Sequence, residues 1–320
     1  MEVEEIKRVA VIGAGIMGVG IAQNFAQGGM SVRIVDMDEN ILDKCMKQIK
    51  ENLILFQDYN LLKEDPSAVL SRITAFLSRD QDKALGDCEM VVEVIPELMD
   101  LKKTLFAQLD LLPKKVIICS NTSSFTISSL TAEMRTPERV VGLHYFNPAH
   151  ILPLVEIHRG KATKDEIVEV VRDLMLRMGK KPILVLKEIP GFVVNRILSA
   201  MAREAHHLVS EGVVKAEDLD MASMASYGFR LACLGSLESA DMGGLDTIYR
   251  ACKHIFKELN NSSEPSPLLA EKVEKGELGV KAGKGWHDYT GKSLGELLKA
   301  RDRKLLRQLV IFNENERGKK

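Results

Sequence analysis

Cysteine is scarce and unpatterned in this chain. The five that occur, Cys45, Cys88, Cys119, Cys233 and Cys252, are scattered with no C-x-x-C pair. That speaks against a disulfide framework or a zinc site and for reduced thiols in a cytoplasm. Charge of neither sign prevails. Lys and Arg number 44 against 45 Asp and Glu, a net of −1, so there is no basic footprint for nucleic acid and no polybasic patch for a membrane surface. Long apolar runs are missing too, and none approaches the roughly 18 residues of a membrane span. The opening MEVEEIKR is charged and runs straight into a strand-like segment, so no signal peptide is expected. Neither an internal repeat nor a low-complexity tract is found. What remains is an ordinary globular composition, 45% hydrophobic over 320 residues, a length that suggests about two domains.

The most informative stretch is VAVIGAGIMGVGIAQNFAQGGMSVRIVD, from Val9 to Asp36. A short apolar run meets Gly13, and glycines follow at Gly15 and Gly18 in the order G-x-G-x-x-G. Ile16, Val19, Ile21, Ala22 and Phe25 then recur at helical spacing, Gly28-Gly29 stop the helix, and a second apolar run ends on Asp36. The pattern reads strand, tight turn, helix, strand, acid. Gly13 permits the sharp turn, Gly15 leaves the backbone open to a pyrophosphate, and Gly18 lets helix and strand pack closely. The turn and first helical residues, Gly13, Ala14, Gly15, Ile16, Met17 and Gly18, would offer free N–H groups and a positive dipole end to the phosphates. A carboxylate at Asp36 can accept from the adenosine ribose hydroxyls and would repel a 2′-phosphate. No Arg or Lys follows it closely, so NAD is expected rather than NADP.

Beyond Asp36 the periodicity predicts a helix from Glu39 to Gln57, a strand at RITAFL (72–77), a strand from Met90 to Ile95, a helix from Asp100 to Leu111 and a strand from Val116 to Cys119. Further strands are expected at Val140–Phe146, Leu154–Ile157 and Ile183–Leu186, with a helix from Lys164 to Met178. Alternation of this kind predicts an α/β domain whose parallel sheet is covered on both faces. Ligands of such sheets lie beyond the carboxyl ends of the strands. Polar groups just after strands are therefore candidates: Glu97, and Asn121-Thr122-Ser123-Ser124. From Gly191 onward the pattern is helical, with helices expected at 195–211, 216–226, 238–257 and 294–316. The boundary falls near Lys187–Pro190, giving domains over residues 1–188 and 189–320.

An NAD enzyme that oxidises an alcohol needs a base for the hydroxyl proton, and histidine suits the task near neutral pH. Seven histidines occur. His206 and His207 are adjacent on a helix, and His254 and His287 lie far along the helical half. His150 and His158 flank the Leu154–Ile157 strand. Only His144 comes off a sheet strand into the loop side of the first domain. Glu156 interrupts an apolar strand, so it is expected to be buried and to need a partner. A histidine would serve, held in orientation and charge-compensated as in other His–carboxylate pairs; a structural ion pair with an arginine is the alternative.

Several motifs occur in order after the glycine turn: N-T-S-S (Asn121–Ser124), H-Y-F-N-P (His144–Pro148), L-V-E (Leu154–Glu156), P-G-F-V-V-N-R (Pro190–Arg196) and G-V-K-A-G-K-G-W (Gly279–Trp286). With them the chain resembles the L-3-hydroxyacyl-CoA dehydrogenase family over nearly its whole length. The resemblance implies a Rossmann-type domain with a mostly parallel sheet, then an all-helical C-terminal domain that forms a homodimer. It implies His144 as general base, Glu156 as its partner, Ser123 on the reacting oxygen and Asn195 supporting the substrate carbonyl or His144. Glu97, Lys102, Asn121, Ser123 and Lys281 match the family's contacts with NAD. Two departures concern the substrate. CoA-dependent members carry a serine and a lysine along the helix after the second strand, near the CoA adenosine phosphate, where ungapped counting from Asp36 gives Asn52 and Tyr59. Lys50 and Lys63 are the nearest cations there. N-P-A-H-I-L-P-L-V-E also has Leu152-Pro153 where CoA enzymes usually show Met-Lys, a version similar to lambda-crystallin, L-gulonate dehydrogenase and other members acting on free hydroxy acids or alcohols. The expectation is an NAD-dependent (S)-3-hydroxyacyl-CoA dehydrogenase in the cytoplasm. Its alternatives are a dehydrogenase of a free hydroxy acid, with Arg230 as the cation for the carboxylate, and a non-catalytic crystallin-like or NAD-sensing protein.

Overall fold

The computed structural model describes residues 2–317, which divide into two compact units: residues 2–193 with 302–310, and residues 194–301 with 311–317. The first unit opens with β1 (Arg8–Ile12), α1 (Ile16–Gln27), β2 (Ser31–Asp36), α2 (Glu39–Asp58), α3 (Pro66–Leu70), β3 (Ile73–Leu77), α4 (Gln81–Leu85) and β4 (Met90–Glu93). It continues with α5 (Met99–Leu109), β5 (Ile117–Ser120), α6 (Ile127–Leu130), β6 (Val140–Tyr145), β7 (Leu154–Arg159), α7 (Asp165–Arg177) and β8 (Lys181–Val185). The strands form one sheet in the order β3-β2-β1-β4-β5-β6-β7-β8.

The sheet is parallel from β3 through to β6, and then the direction reverses. β7 runs antiparallel to β6, and β8 runs parallel to β7. A wholly parallel sheet does not form because only residues 146–153 join β6 to β7. A parallel return needs a crossover of about a dozen residues or more, usually through a helix. That reversal sets His144 directly opposite Glu156 in the register.

Apolar side chains cover both faces. On one side Val9, Val11, Val32, Ile34, Val92 and their neighbours pack against Ile21, Phe25, Leu42, Ile49, Leu53 and Leu174 of α1, α2 and α7. Opposite them Ala10, Val91 and Ile118 meet Leu105, Phe106 and Leu109 of α5 and Leu130 of α6. A fully buried Phe25 or Phe106 contributes about 2–3 kcal/mol relative to leaving it in water. All five cysteines are free, and Cys45, Cys88 and Cys119 are buried in these layers. Burial pushes their thiols up, to about 12 at Cys45 and about 11 at Cys88.

The second unit contains α8 (Val194–Ser210), α9 (Ala216–Ser223), a π-helical turn (Met224–Gly228), α10 (Phe229–Leu231), α11 (Ser236–Gly243), α12 (Leu245–Ile255) and α13 (Pro267–Glu274). The final helix, α14 (Leu294–Arg317), contributes residues to both units. The single helix expected over 238–257 is two, because Gly244 sits at φ +81°, outside helical geometry, and caps α12. A short two-bridge turn, Gly279 to Lys284 and Lys284 to Asp288, interrupts the helical character. Among the described residues no helix is long and apolar enough to cross a membrane.

Candidate active site

The glycine turn has the geometry its sequence demands. Gly13 adopts φ +112°, and a Cβ there would come within 2.6 Å of the Val94 carbonyl oxygen. At Gly18 a Cβ would lie 1.9 Å from the Gly13 oxygen, so α1 packs on the turn only because that side chain is missing. Gly15, the N-cap of α1, has open space beside it. The next residue, Ile16, is exposed, unlike the core-facing Ile21, Ala22 and Phe25 with which the helical spacing grouped it. An unobstructed N-terminus with a glycine cradle fits a dinucleotide pyrophosphate. Asp36 closes the motif. Its carboxylate accepts from the Ala14 N–H at 2.8 Å and from the Met37 N–H at 2.7 Å, tying the turn to the end of β2. Beside it lies a cleft of about 480 Å³ lined by Met37, Asp38, Glu39, Leu77, Ser78 and Arg79. Sequence reasoning missed Arg79 because it lies far along the chain; the pairing of Asp36 with Leu77 brings it there.

The ends of β4 and β5 carry a second cluster. Glu93 is fully buried and accepts from Lys102 Nζ at 2.6 Å and Ser120 Oγ at 2.6 Å. Lys102 also reaches Glu97, at 3.2 Å. Glu97 in turn accepts from Thr122 Oγ1, the Ser123 and Ser124 N–H groups and Ser124 Oγ at 2.5–3.0 Å. Burial would raise the Glu97 carboxyl, but the hydroxyl donors and the Lys102 charge outweigh it and hold it below the usual carboxylate range. Lys102 is 1% exposed, so its head group supports Glu97 from beneath instead of standing free at the surface. Asn121 Oδ1 accepts from the Tyr145 N–H at 2.8 Å, fixing the N-T-S-S loop to β6, while Ser123 stays exposed.

His144 and Glu156 form the third cluster. The ring Nδ1 lies 2.9 Å from Glu156 Oε2, with His144 4% exposed and Glu156 fully buried. Glu156 Oε1 accepts from the Val193 N–H at 3.1 Å. Phe146 and Phe192 flank the His144 ring, with centroids 4.5 and 5.5 Å away. Since Nδ1 is engaged, Nε2 is the ring atom left to exchange a proton. A third group stands beside the pair: His158 Nε2 is 3.7 Å from the same Oε2. Burial pushes this imidazole down to about 4, against the attraction of Glu156 and with the help of His144, so it is neutral and makes no ion pair. The three groups have donor types seen in metal sites. However, the 2.9 Å contact is shorter than the roughly 3.3 Å separating two ligands of a tetrahedral ion with bonds of about 2.0–2.1 Å. It is a hydrogen bond.

The remaining candidates are distributed over both units. Lys50 on α2 and Lys63 beyond it are exposed. Asn52 faces inward, 4% exposed, donating to Gln23 on α1 and accepting from Gln48. Tyr59 packs in an apolar cluster with Phe56, Ile151 and Leu305, Leu306 and Leu309 of α14. The second unit carries Asn195 in the first turn of α8, half-buried, with exposed Arg230 on α10 and exposed Lys281 in the 3₁₀ turn Val280–Ala282.

A glycine-turn nucleotide domain with a buried His–carboxylate pair at its strand ends defines an NAD-dependent oxidoreductase. The chain belongs to the 3-hydroxyacyl-CoA dehydrogenase family: the pattern of that family's NAD binding domain matches residues 8–189 and that of its C-terminal domain residues 191–289. Over 302 residues it is 33% identical to the 5-formyl-3-hydroxy-2-methylpyridine 4-carboxylate 5-dehydrogenase of Mesorhizobium japonicum, covering 94% of this chain and 96% of that protein. It is 38% identical over 284 residues to a probable 3-hydroxybutyryl-CoA dehydrogenase of Deinococcus radiodurans, covering 88% of this chain and all of that one. Among solved structures, a 5-formyl-3-hydroxy-2-methylpyridine 4-carboxylic acid 5-dehydrogenase, described as an NAD+ dependent dismutase, superposes with a TM-score of 0.89 at 31% identity, covering 96% of this chain and 99% of that one. The (S)-3-hydroxybutyryl-CoA dehydrogenase of Ralstonia eutropha gives 0.71 at 36% identity, covering 89% and 99%.

Proposed function

We propose that this dehydrogenase acts on the alcohol of a small free carboxylic acid, and that a CoA thioester is not its substrate. The observation that carries the reading is the cover over the end of α2. Family resemblance puts the CoA adenosine phosphate along α2, at positions corresponding to Asn52 and Tyr59. Here Asn52 is turned into the core, and Tyr59 shares an apolar cluster with α14. Helix α14 lies beyond residue 289, where the family's C-terminal domain pattern ends. The high structural similarity to an enzyme named for a pyridine carboxylate supports the same reading. This reverses the order of the two substrate classes expected from sequence.

In this reading His144 Nε2 takes the hydroxyl proton of the substrate. The imidazolium that forms is stabilised by Glu156, which is already hydrogen-bonded to Nδ1 and held by the Val193 N–H. NAD, when bound, accepts the hydride. Ser123 donates to the reacting oxygen, Glu97 orients the loop that presents it, and Asp36 selects the cofactor. The family resemblance assigns Asn195 to the substrate and Lys281 to the cofactor, and the charge of Arg230 suits a substrate carboxylate. A single chain exposes Ile197, Leu198, Phe229, Leu237, Leu245 and Phe256, and large apolar residues of this kind suit an interface with a second copy of the chain. Light scattering should therefore return the mass of a dimer, and a monomer at micromolar concentration would contradict that part.

The substrate reading is tested by NAD reduction with free 3-hydroxybutyrate, gulonate and an aromatic hydroxy acid beside 3-hydroxybutyryl-CoA, and by competition with free CoA. Turnover confined to free acids, with no inhibition at millimolar CoA, is expected. Efficient turnover of the thioester with competitive inhibition by CoA would overturn it.

A further inference from the structure

His158 is the one buried imidazole in the first unit that the reaction above leaves without a task. It is 1% exposed, and among the described residues neither of its ring nitrogens has a hydrogen-bond partner. Leaving two polar atoms dry is unfavourable, and an apolar side chain would fill the place at no such cost. The site is nevertheless shaped to hold this ring. Gly142 is its register partner on β6, and a Cβ there would come within 2.8 Å of the His158 side chain. Phe192 lies against the other face, ring centroids 3.6 Å apart. Glu156 and His158 are two residues apart on β7 and so share one face of the sheet. The consequence is that Glu156 Oε2 has an imidazole on each side, His144 Nδ1 at 2.9 Å and His158 Nε2 at 3.7 Å.

We propose that His158 is a positioning residue, whose Nε2–H turns its positive end toward Glu156 Oε2 across 3.7 Å, a dipole contact longer than a hydrogen bond, while His144 holds the same oxygen. The inference rests on the reading of His144 and Glu156 as the proton-accepting pair. Oε1 is occupied by the Val193 N–H, so Oε2 is the atom through which the carboxylate stabilises a proton on His144. A second N–H dipole aimed at Oε2 partly offsets its charge. The carboxylate then keeps its orientation while holding the His144 proton less tightly, and the base remains available at lower pH. The titratable groups acting on the His158 ring are Glu156 from its own strand and His144 from β6. Phe192, Gly142 and its β8 register partner Val185 carry no charge.

The test is the pH profile of kcat/KM for alcohol oxidation. Its acid limb should vanish in His144→Gln, where the titrating base is gone. In His158→Leu the limb should move to higher pH by at least half a unit, about a threefold loss on the slope, and His158→Gln, which keeps an N–H donor, should bring it back. An acid limb that disappears in His144→Gln yet does not move in His158→Leu would overturn the role of His158 alone. A limb that survives in His144→Gln would overturn the underlying pair. The tautomer can be read in the wild-type protein by ¹⁵N-histidine NMR, which does not depend on how the variants fold. His158 should carry its proton on Nε2, and a proton on Nδ1 would contradict the proposal.

Discussion

His144 and Glu156 face each other across two antiparallel strands, register partners whose Nδ1 and Oε2 atoms stand 2.9 Å apart. The pairing depends on the reversal of β7, since a parallel β7 would place Glu156 at a different point along its neighbour. Backbone hydrogen bonds of the sheet therefore hold the imidazole and the carboxylate in place. Such a pair needs little reorganisation when His144 takes up charge, the condition under which a buried carboxylate is most effective.

Asp36 should control the choice of cofactor. Its carboxylate is fixed by the Ala14 and Met37 N–H groups beside the cleft that holds Arg79. NAD should be preferred over NADP by at least about tenfold in kcat/KM, or about 1.4 kcal/mol. Replacing Asp36 by Ala should narrow that gap, mainly through weaker NAD binding and also by removing one of the carboxylates that repel a 2′-phosphate from this cleft. Equal use of both cofactors by the wild type would contradict this.

Lys102 should be structurally critical despite sitting one turn into a surface helix. Lys102→Met leaves Glu93 buried without its cation, a loss on the order of 3–5 kcal/mol in denaturant unfolding. Glu97 also loses a support, so KM for NAD should rise. The double variant Lys102→Met/Glu93→Gln should recover much of the stability, and strict additivity of the two changes would show that the groups are not coupled.

His158 should make the protein acid-sensitive. Its folded-state value of about 4 lies below the ordinary 6.5, so between those pH values the unfolded chain binds a proton that the folded one refuses. Stability then falls as pH drops from about 6.5 to 4, by up to about 3 kcal/mol for this group. Unfolding free energies measured across that window should decline less steeply in His158→Leu than in the wild type. Parallel curves for the two proteins would contradict this.

Much of the site was legible because single residues broke a pattern. Gly13, Gly15 and Gly18 interrupt a strand–helix unit at spacings set by turn and packing, and Glu156 stands alone in an apolar strand. The same reasoning applied to Glu93, alone in M-V-V-E-V-I, requires a buried cation, and Lys102 nine residues on is that partner. His158 had a signal too, since residues i and i+2 of a strand share a face. Other features had none. An apolar run reads the same in either strand direction, so the reversal of β7 was visible only in the shortness of the link before it. The helix over 294–316 was evident, but the landing of its Leu305, Leu306 and Leu309 on Phe56, Tyr59 and Ile151 is a long-range contact no local pattern encodes. That contact bears most directly on the substrate.

His144 is the proposed proton acceptor, and turnover by His144→Gln is the sharpest test of that role. With NAD binding to the variant verified by fluorescence titration, kcat for alcohol oxidation should fall by at least about two orders of magnitude, the usual scale for loss of a general base. Turnover near the wild-type rate with NAD bound would contradict the account.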